Sequence, residues 1–194
     1  MAEVKVLIKG YAKELMTGWA ASATTTLIKS SGKNIIFDPG CNRKRLIESL
    51  NREKLKPKDI NFVVLSHGHM DHSLLTGMFE NAKVISFESL LYDSDLMLEF
   101  KEGVLGKDVQ IIKTPGHSAE HISLLVKTKK GKYCISGDVF WWTDDENQLV
   151  DINKDDQSHP AELNMNELIK SRKTILEMAD YIIPGHGEMF KVKK

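Results

Sequence analysis

Residues 66–72 read SHGHMDH and place three of the chain's seven histidines, with an aspartate, inside six consecutive positions. Imidazole is the commonest side-chain metal ligand and binds as the neutral base, the form it mostly holds near pH 7. Four candidate ligands, His67, His69, Asp71 and His72, cannot all reach one ion without strain. In a loop, His67 and His69 point to one side while Asp71 and His72 turn toward a second position a few ångströms away, so the crowding predicts two adjacent metals. Packing alone gives no reason to cluster titratable groups at the end of a strand.

The remaining ligands of such a pair are expected from other strand ends, and three loops offer them. TPGHS supplies His117, SGDVF supplies Asp138 and IPGHG supplies His186, each after a β-rich run and a glycine that lets the backbone turn sharply. His121 and His159 lack this context and are read as non-ligands.

The elements that must carry these loops follow from periodicity. EVKVLIKG, within an N-terminal stretch MAEVKVLIKGYAKEL that lacks the apolar core of a secretory signal, reads as a first strand. TTTLIKS and KNIIFDP form a hairpin around Ser31-Gly32, and NRKRLIESLNREKL is a helix ended by KPKD. NFVVLS is a strand covered on both faces, which puts the histidine loop at its C-terminal end, where α/β folds place their chemistry. SLLTGMFEN is read as helical and AKVISF as a strand, while Glu88 to Lys107 gives a mixed signal beside the site. DVQIIKTPGH, HISLLVKT and KYCISGD are three strands, the last two joined by a solvated KKGK turn. NMNELIKSRKTILEMA is an amphipathic helix with Asn164 and Glu167 spaced as a capping box, and DYIIPGHG is a final strand. Two blocks of strands with helices predict two packed sheets in one domain, residues 1–194.

The motifs HGHMDH, TPGH, SGD and PGHG, in that order across nearly the whole chain, resemble those of the metallo-β-lactamase-fold hydrolases. SGDVFWW and ADYIIPGHGEMFKV are similar to small stand-alone metallo-β-lactamase-domain proteins. The resemblance implies an αββα sandwich with the site between the edges of two sheets. It also implies a first metal held by His67, His69 and His117, a second by Asp71, His72 and His186, and Asp138 bridging them. Asp38, in FDPG, is then expected to support the histidine loop by hydrogen bonding. Two divalent ions sharing a hydroxide would make a solvent-derived nucleophile, with Asp71 orienting the water and accepting its proton. Zinc is the first expectation for imidazole and carboxylate ligands, with manganese and iron also suited.

Composition narrows the rest. Lysine plus arginine and aspartate plus glutamate both number 27, so no global basic field attracts polyanions. Two cysteines make no disulfide framework, and no apolar run is long enough to span a bilayer; a cytoplasmic protein without membrane contact is expected. The absent signal sequence and Asp138 in place of a cysteine disfavour antibiotic hydrolysis. The short stretch after His186 leaves no expected glutathione-binding extension of the glyoxalase type. A phosphodiesterase cutting RNA or single-stranded nucleic acid is one expected activity, with Trp141, Trp142 and Arg43 as substrate contacts, although acidic TDDEN opposes a polyanion. Hydrolysis of a small-molecule ester, lactone or thioester is the alternative, and an iron-dependent sulfur dioxygenase a third. The expected partner is that small-molecule or nucleic-acid substrate, and the sequence leaves assembly open up to a homodimer.

Overall fold

In TTLIKS, Leu27 and Ile28 are both buried although they point to opposite faces, and the same holds for Ile35, Ile36 and Phe37 and for Phe62, Val63 and Val64. Strands buried on both faces require a covering layer on each side. The computed structural model, which describes every residue except 89, 157, 159–162 and 194, supplies those layers.

The chain opens with β1 (Glu3–Ile8) and a hairpin of β2 (Tyr11–Leu15) and β3 (Gly18–Ser22). It continues through β4 (Thr25–Ser30), β5 (Lys33–Phe37), helix α1 (Arg43–Arg52) and β6 (Phe62–Val64). A one-turn helix α2 (Met70–Ser73), β7 (Lys83–Ile85) and the hairpin β8 (Leu90–Asp93) and β9 (Leu96–Glu99) follow. The second half holds β10 (Val109–Lys113), β11 (Ile122–Thr128), β12 (Gly131–Ile135), α3 (Met165–Met178), β13 (Tyr181–Ile183) and β14 (Phe190–Lys191). One sheet runs β1-β4-β5-β6-β7-β8-β9, parallel at β5–β6 and β6–β7; the other runs β10-β11-β12-β13-β14, parallel at β12–β13.

Between the sheets, Ile28, Ile35, Phe37, Val64 and Ile85 share one core with Ile122, Leu124, Val126, Ile135 and Ile183. On the outer face of the first sheet, Leu46 and Leu50 of α1 cover Leu27, Ile36 and Val63; on the second, Leu168 and Ile175 of α3 cover Cys134 and Ile182. This is the expected αββα sandwich. Both long helices begin on asparagine caps, Asn42 accepting the N–H of Arg45 and Asn164 that of Glu167, each at 3.2 Å and worth about 1 kcal/mol. The Glu167 carboxylate accepts from Lys170 at 2.7 Å.

Three local readings are corrected. The expected first strand is followed by a separate hairpin, because the chain breaks at Lys9-Gly10: a Cβ at Gly10 would lie 2.1 Å from the Gly185 carbonyl, so only glycine passes there. SLLTGMFEN keeps only a 3₁₀ turn at Thr76–Met78 after α2, since the Leu75 N–H is drawn to the Gly40 carbonyl at 3.1 Å and leaves the helical ladder. Within 88–107 the signal resolves as the β8–β9 hairpin, turned at Ser94, whose φ of 58° suits a two-residue loop.

Candidate metal centre and cavity

The histidine loop leaves β6, His117 follows β10, Asp138 follows β12 and His186 follows β13, each at the strand's C-terminal end. Two close approaches demand glycine. A Cβ at Gly185 would fall 1.7 Å from Asp138 Oδ1, and one at Gly116, where φ is 136°, would strike the Leu168 backbone at 2.2 Å. The IPGHG and SGDVF loops are tied together by the Gly185 N–H, which donates to the carbonyls of Gly137 and Phe140.

These loops bring all seven expected side chains into two adjoining groups, His67, His69, His117 and Asp138 in one, Asp71, His72 and His186 in the other, the candidate ligand atoms of each lying within 4.8 Å of one another. His69 Nδ1 sits 2.8 Å from His67 Nε2 and 3.2 Å from His117 Nε2. Asp138 reaches both groups. Its Oδ2 is 3.5 Å from His117 Nε2 and 3.6 Å from His186 Nε2, and its Oδ1 is 3.3 Å from His72 Nε2. Asp71 Oδ2 lies 3.2 Å from His186 Nε2.

The outer nitrogens are already used. His72 Nδ1 donates to Asp38 Oδ2 at 2.8 Å, His117 Nδ1 to Asp156 Oδ2 at 2.7 Å and His186 Nδ1 to the Tyr11 carbonyl at 3.0 Å, while His67 Nδ1 pairs with Ser66 Oγ at 2.8 Å. Asp38 also accepts the Ser66 N–H and hydroxyl, so one buried carboxylate fixes both the strand end and the loop. Asp38 holds this place with φ at 49°, a left-handed conformation that is strained for a residue other than glycine. With Nδ1 donating outward, neutral imidazoles turn their Nε2 lone pairs inward. Inward lone pairs that face one another repel unless positive charge lies between them.

That charge comes from protons when no cation is bound. Burial opposes a charged His72, but the carboxylates of Asp138 and Asp38 hold its pKa well above the ordinary value. Burial likewise opposes charge on His186, which Asp138 nevertheless lifts to about 9. Asp138, despite its burial, is held well below the carboxylate range by His72 and His186, and His67 is kept neutral by burial and by His72. His72 Nε2 and Asp138 Oδ1, both buried, face each other at 3.3 Å without hydrogen-bond geometry, as expected of atoms shaped for a cation. Imidazole ligates as the free base, so the protons on His72 and His186 must leave when a cation enters. The nitrogen and oxygen donors suit zinc, manganese or iron.

Two residues outside the expected set support the centre. Asp156, 1% exposed, orients His117 and is steadied by Ser158 Oγ at 2.7 Å. Arg172 of α3, 2% exposed, donates from Nε to the Val139 carbonyl at 3.0 Å and from Nη1 to the carbonyls of Ile152, at 3.0 Å, and Lys154. It thereby ties the turn of Asp138 to the loop of Asp156. Asp156→Ala is expected to lower metal affinity at the His67/His69/His117 position by roughly 10–100-fold, the usual cost of losing such a partner. Chelator competition on the apo-protein reads this directly, and unchanged affinity would remove Asp156 from the account.

A cavity of about 620 Å³ opens over the cluster, with Ala12, Trp19, Met70, Leu74 and Trp141 among its walls. None of the described residues lining it is lysine or arginine. Of the expected substrate contacts, Trp141 lines the cavity, its ring 6.2 Å from that of His186. Trp142 is corrected: it is 3% exposed, stacks with Phe140 and meets Phe190 edge-to-face under α3, and donates from Nε1 to the Leu149 carbonyl, so its indole is a core group. Arg43 is corrected too, being exposed on the first turn of α1 and outside the cavity lining. His121 is buried against His67, ring centroids 5.2 Å apart, with Nδ1 paired to Thr114 Oγ1 at 2.9 Å; burial pushes its pKa down to about 3. His159 lies outside the described residues.

Comparison with known proteins gives concordant results. Residues 18–87 match the family model described as the metallo-beta-lactamase superfamily. Metallo-beta-lactamase domain-containing protein 1 of Xenopus laevis is 30% identical over 200 residues, spanning 98% of this chain and 82% of the relative. A metallo-beta-lactamase family protein of Thermus thermophilus superposes with a TM-score of 0.67 at 16% identity, over 97% of this chain and 75% of that one. AidC, a dizinc quorum-quenching lactonase solved with the product N-hexanoyl-L-homoserine, does so with a TM-score of 0.62 at 16% identity, over 87% and 74%.

Proposed function

We propose, from the premise that the chain belongs to the metallo-β-lactamase superfamily of hydrolases, that its substrate is a small ester, lactone or thioester carrying an apolar acyl group. The observation that carries this reading is the cavity wall: indole and aliphatic side chains stand over the His/Asp cluster, and none of the described residues lining it is lysine or arginine. A phosphodiester needs positive charge along its track. Lys154 sits behind the wall, its Nζ 5.0 Å from the Trp141 ring centroid and bonded to Glu146 and to the Trp141 carbonyl, so it does not reach into the cavity lining. The hexanoyl chain of the product named for AidC is an apolar acyl group of this kind.

In this reading His67, His69 and His117 hold one divalent cation and Asp71, His72 and His186 a second, with Asp138 shared. When bound, the pair lowers the pKa of a coordinated water and polarises the substrate oxygen. The chain's own groups do the rest. Asp71, whose side chain keeps 26% of its exposure, is the carboxylate of the cluster that most reaches the cavity, and it orients the water and takes its proton. Trp19 and Leu74 hold the acyl chain and exclude water from it. The two unpaired cysteines, Cys41 on the cavity wall and Cys134 in the core, fit a reducing cytoplasmic setting.

Turnover of a homologous series of lactones and thioesters by zinc-loaded protein tests the proposal, with labelled single-stranded RNA in parallel. Each methylene buried against the wall contributes about 0.8 kcal/mol, so kcat/KM is expected to rise roughly fourfold per carbon until the wall is filled. Trp19→Ala flattens that rise. Cleaved RNA with no ester turnover would establish the phosphodiesterase reading in its place, and iron-dependent oxygen consumption the dioxygenase.

A further inference from the structure

β9 is the outermost strand of the seven-stranded sheet and pairs only with β8 among the described residues. Alternate residues of such a strand turn their backbone N–H and C=O groups outward with no ladder partner. Edge strands are ordinarily protected by charge, proline, a bulge or a covering element. The opposite edge of the same sheet, β1, carries Glu3 and Lys5, both exposed. β9 instead presents Leu96, Met97 and Leu98 in succession, 55%, 62% and 43% exposed.

Its side chains also continue the core. Leu98 stands opposite Leu91, a buried member of the cluster between the sheets, so Leu96, Leu98 and Phe100 lie on the inner face, and Phe100 packs partly against that cluster. Met97 and Glu99 lie on the other face.

We propose that β9 pairs antiparallel with β9 of a second copy of this chain, about a twofold axis through Leu98, joining the two seven-stranded sheets into one. A twofold axis normal to the sheet keeps both inner faces on the same side, so facing residues must share parity along the strand. Centred on Leu98, the strand is complementary to itself. Leu98 faces Leu98 of the second copy, Leu96 faces Phe100, Met97 faces Glu99, and Asp95 faces Lys101. The apolar inner row is then continuous across the junction, and opposite charges meet at both ends. Neither Asp95 nor Lys101 has an ion-pair partner within the described residues, so both are available. The neighbouring registers are worse: centring on Met97 sets Asp95 against Glu99, and centring on Glu99 sets that carboxylate against itself. Like charges directly opposite are destabilising, which selects the Leu98 register.

Sedimentation equilibrium over a concentration series tests the association. The weight-average mass is expected to rise from that of one chain, 21.9 kDa, toward twice that value. Leu98→Lys should hold the protein at one chain mass while circular dichroism and ester turnover stay as in the parent. Asp95→Lys and Lys101→Asp should each weaken the dimer, and the double variant should restore it. In a Cys41→Ser background, Leu98→Cys is expected to form a disulfide-linked dimer on mild oxidation, because facing Cα atoms lie about 4.5–5.5 Å apart. A single chain mass at every concentration, or a dimer that survives Leu98→Lys, would overturn the proposal. Cross-linking through Met97→Cys and not through Leu98→Cys would overturn the register.

Discussion

Asp138→Ala is expected to leave a folded protein that retains little metal and loses hydrolysis by on the order of 10³-fold or more, about 4 kcal/mol of transition-state stabilisation. The effect is large because one carboxylate serves both groups, with Oδ2 facing His117 and His186 and Oδ1 facing His72. The fold is expected to survive because Asp38 still faces His72 and Asp71 still faces His186. Without Asp138 both imidazoles hold their protons less strongly, and a proton that stays still has a carboxylate beside it, so no uncompensated charge is left inside. Metal analysis and circular dichroism on the same sample separate the two outcomes. Full activity in this variant would refute the shared role.

Arg172→Met is the second large effect, and it falls on stability. The guanidinium is buried and bonded to the carbonyls of Val139, Ile152 and Lys154, none of which gains a donor from methionine. A buried acceptor left unpaired costs about 1–3 kcal/mol, and the 152–154 loop recovers part of that from water, so a net loss of about 3 kcal/mol is expected. For a chain of this size that lowers Tm by about 6–12 °C. Activity falls as well, since Val139 adjoins Asp138 and Lys154 lies two residues before Asp156. Arg172→Lys, with one compact head in place of a planar fork, restores only part of the loss. A melting curve identical to the parent's would show that the three carbonyls need no donor.

The His/Asp cluster was legible because its residues are chemically costly to bury and lie at motif spacing. His67, His69, Asp71 and His72 announce themselves in six positions, and the glycines before His117, Asp138 and His186 mark sharp turns at strand ends. The double-faced strands were legible for a related reason: the runs in KNIIF and FVV leave no polar face for solvent. Asp156 and Arg172 were not. A histidine that is to hold a metal needs an acceptor at its outer nitrogen, so a carboxylate for His117 was to be sought, but nothing in NKDDQS separates Asp156 from Asp155. Arg172 sits at a helix position indistinguishable by pattern from a solvated one. Trp141 and Trp142 show the limit of adjacency: consecutive residues after a turn point in opposite directions, one into the cavity and the other under α3. The hairpin of Tyr11–Leu15 and Gly18–Ser22 went unread because its short alternating strands continue the pattern of β1, and the break at Gly10 is set by the distant Gly185.

Counting metal per chain tests the central claim most directly. Apo-protein dialysed against excess zinc, freed of loose metal on a desalting column and analysed by mass spectrometry of the elements is predicted to hold two ions per chain. A ratio of one or less would contradict a centre in which seven side chains hold a pair.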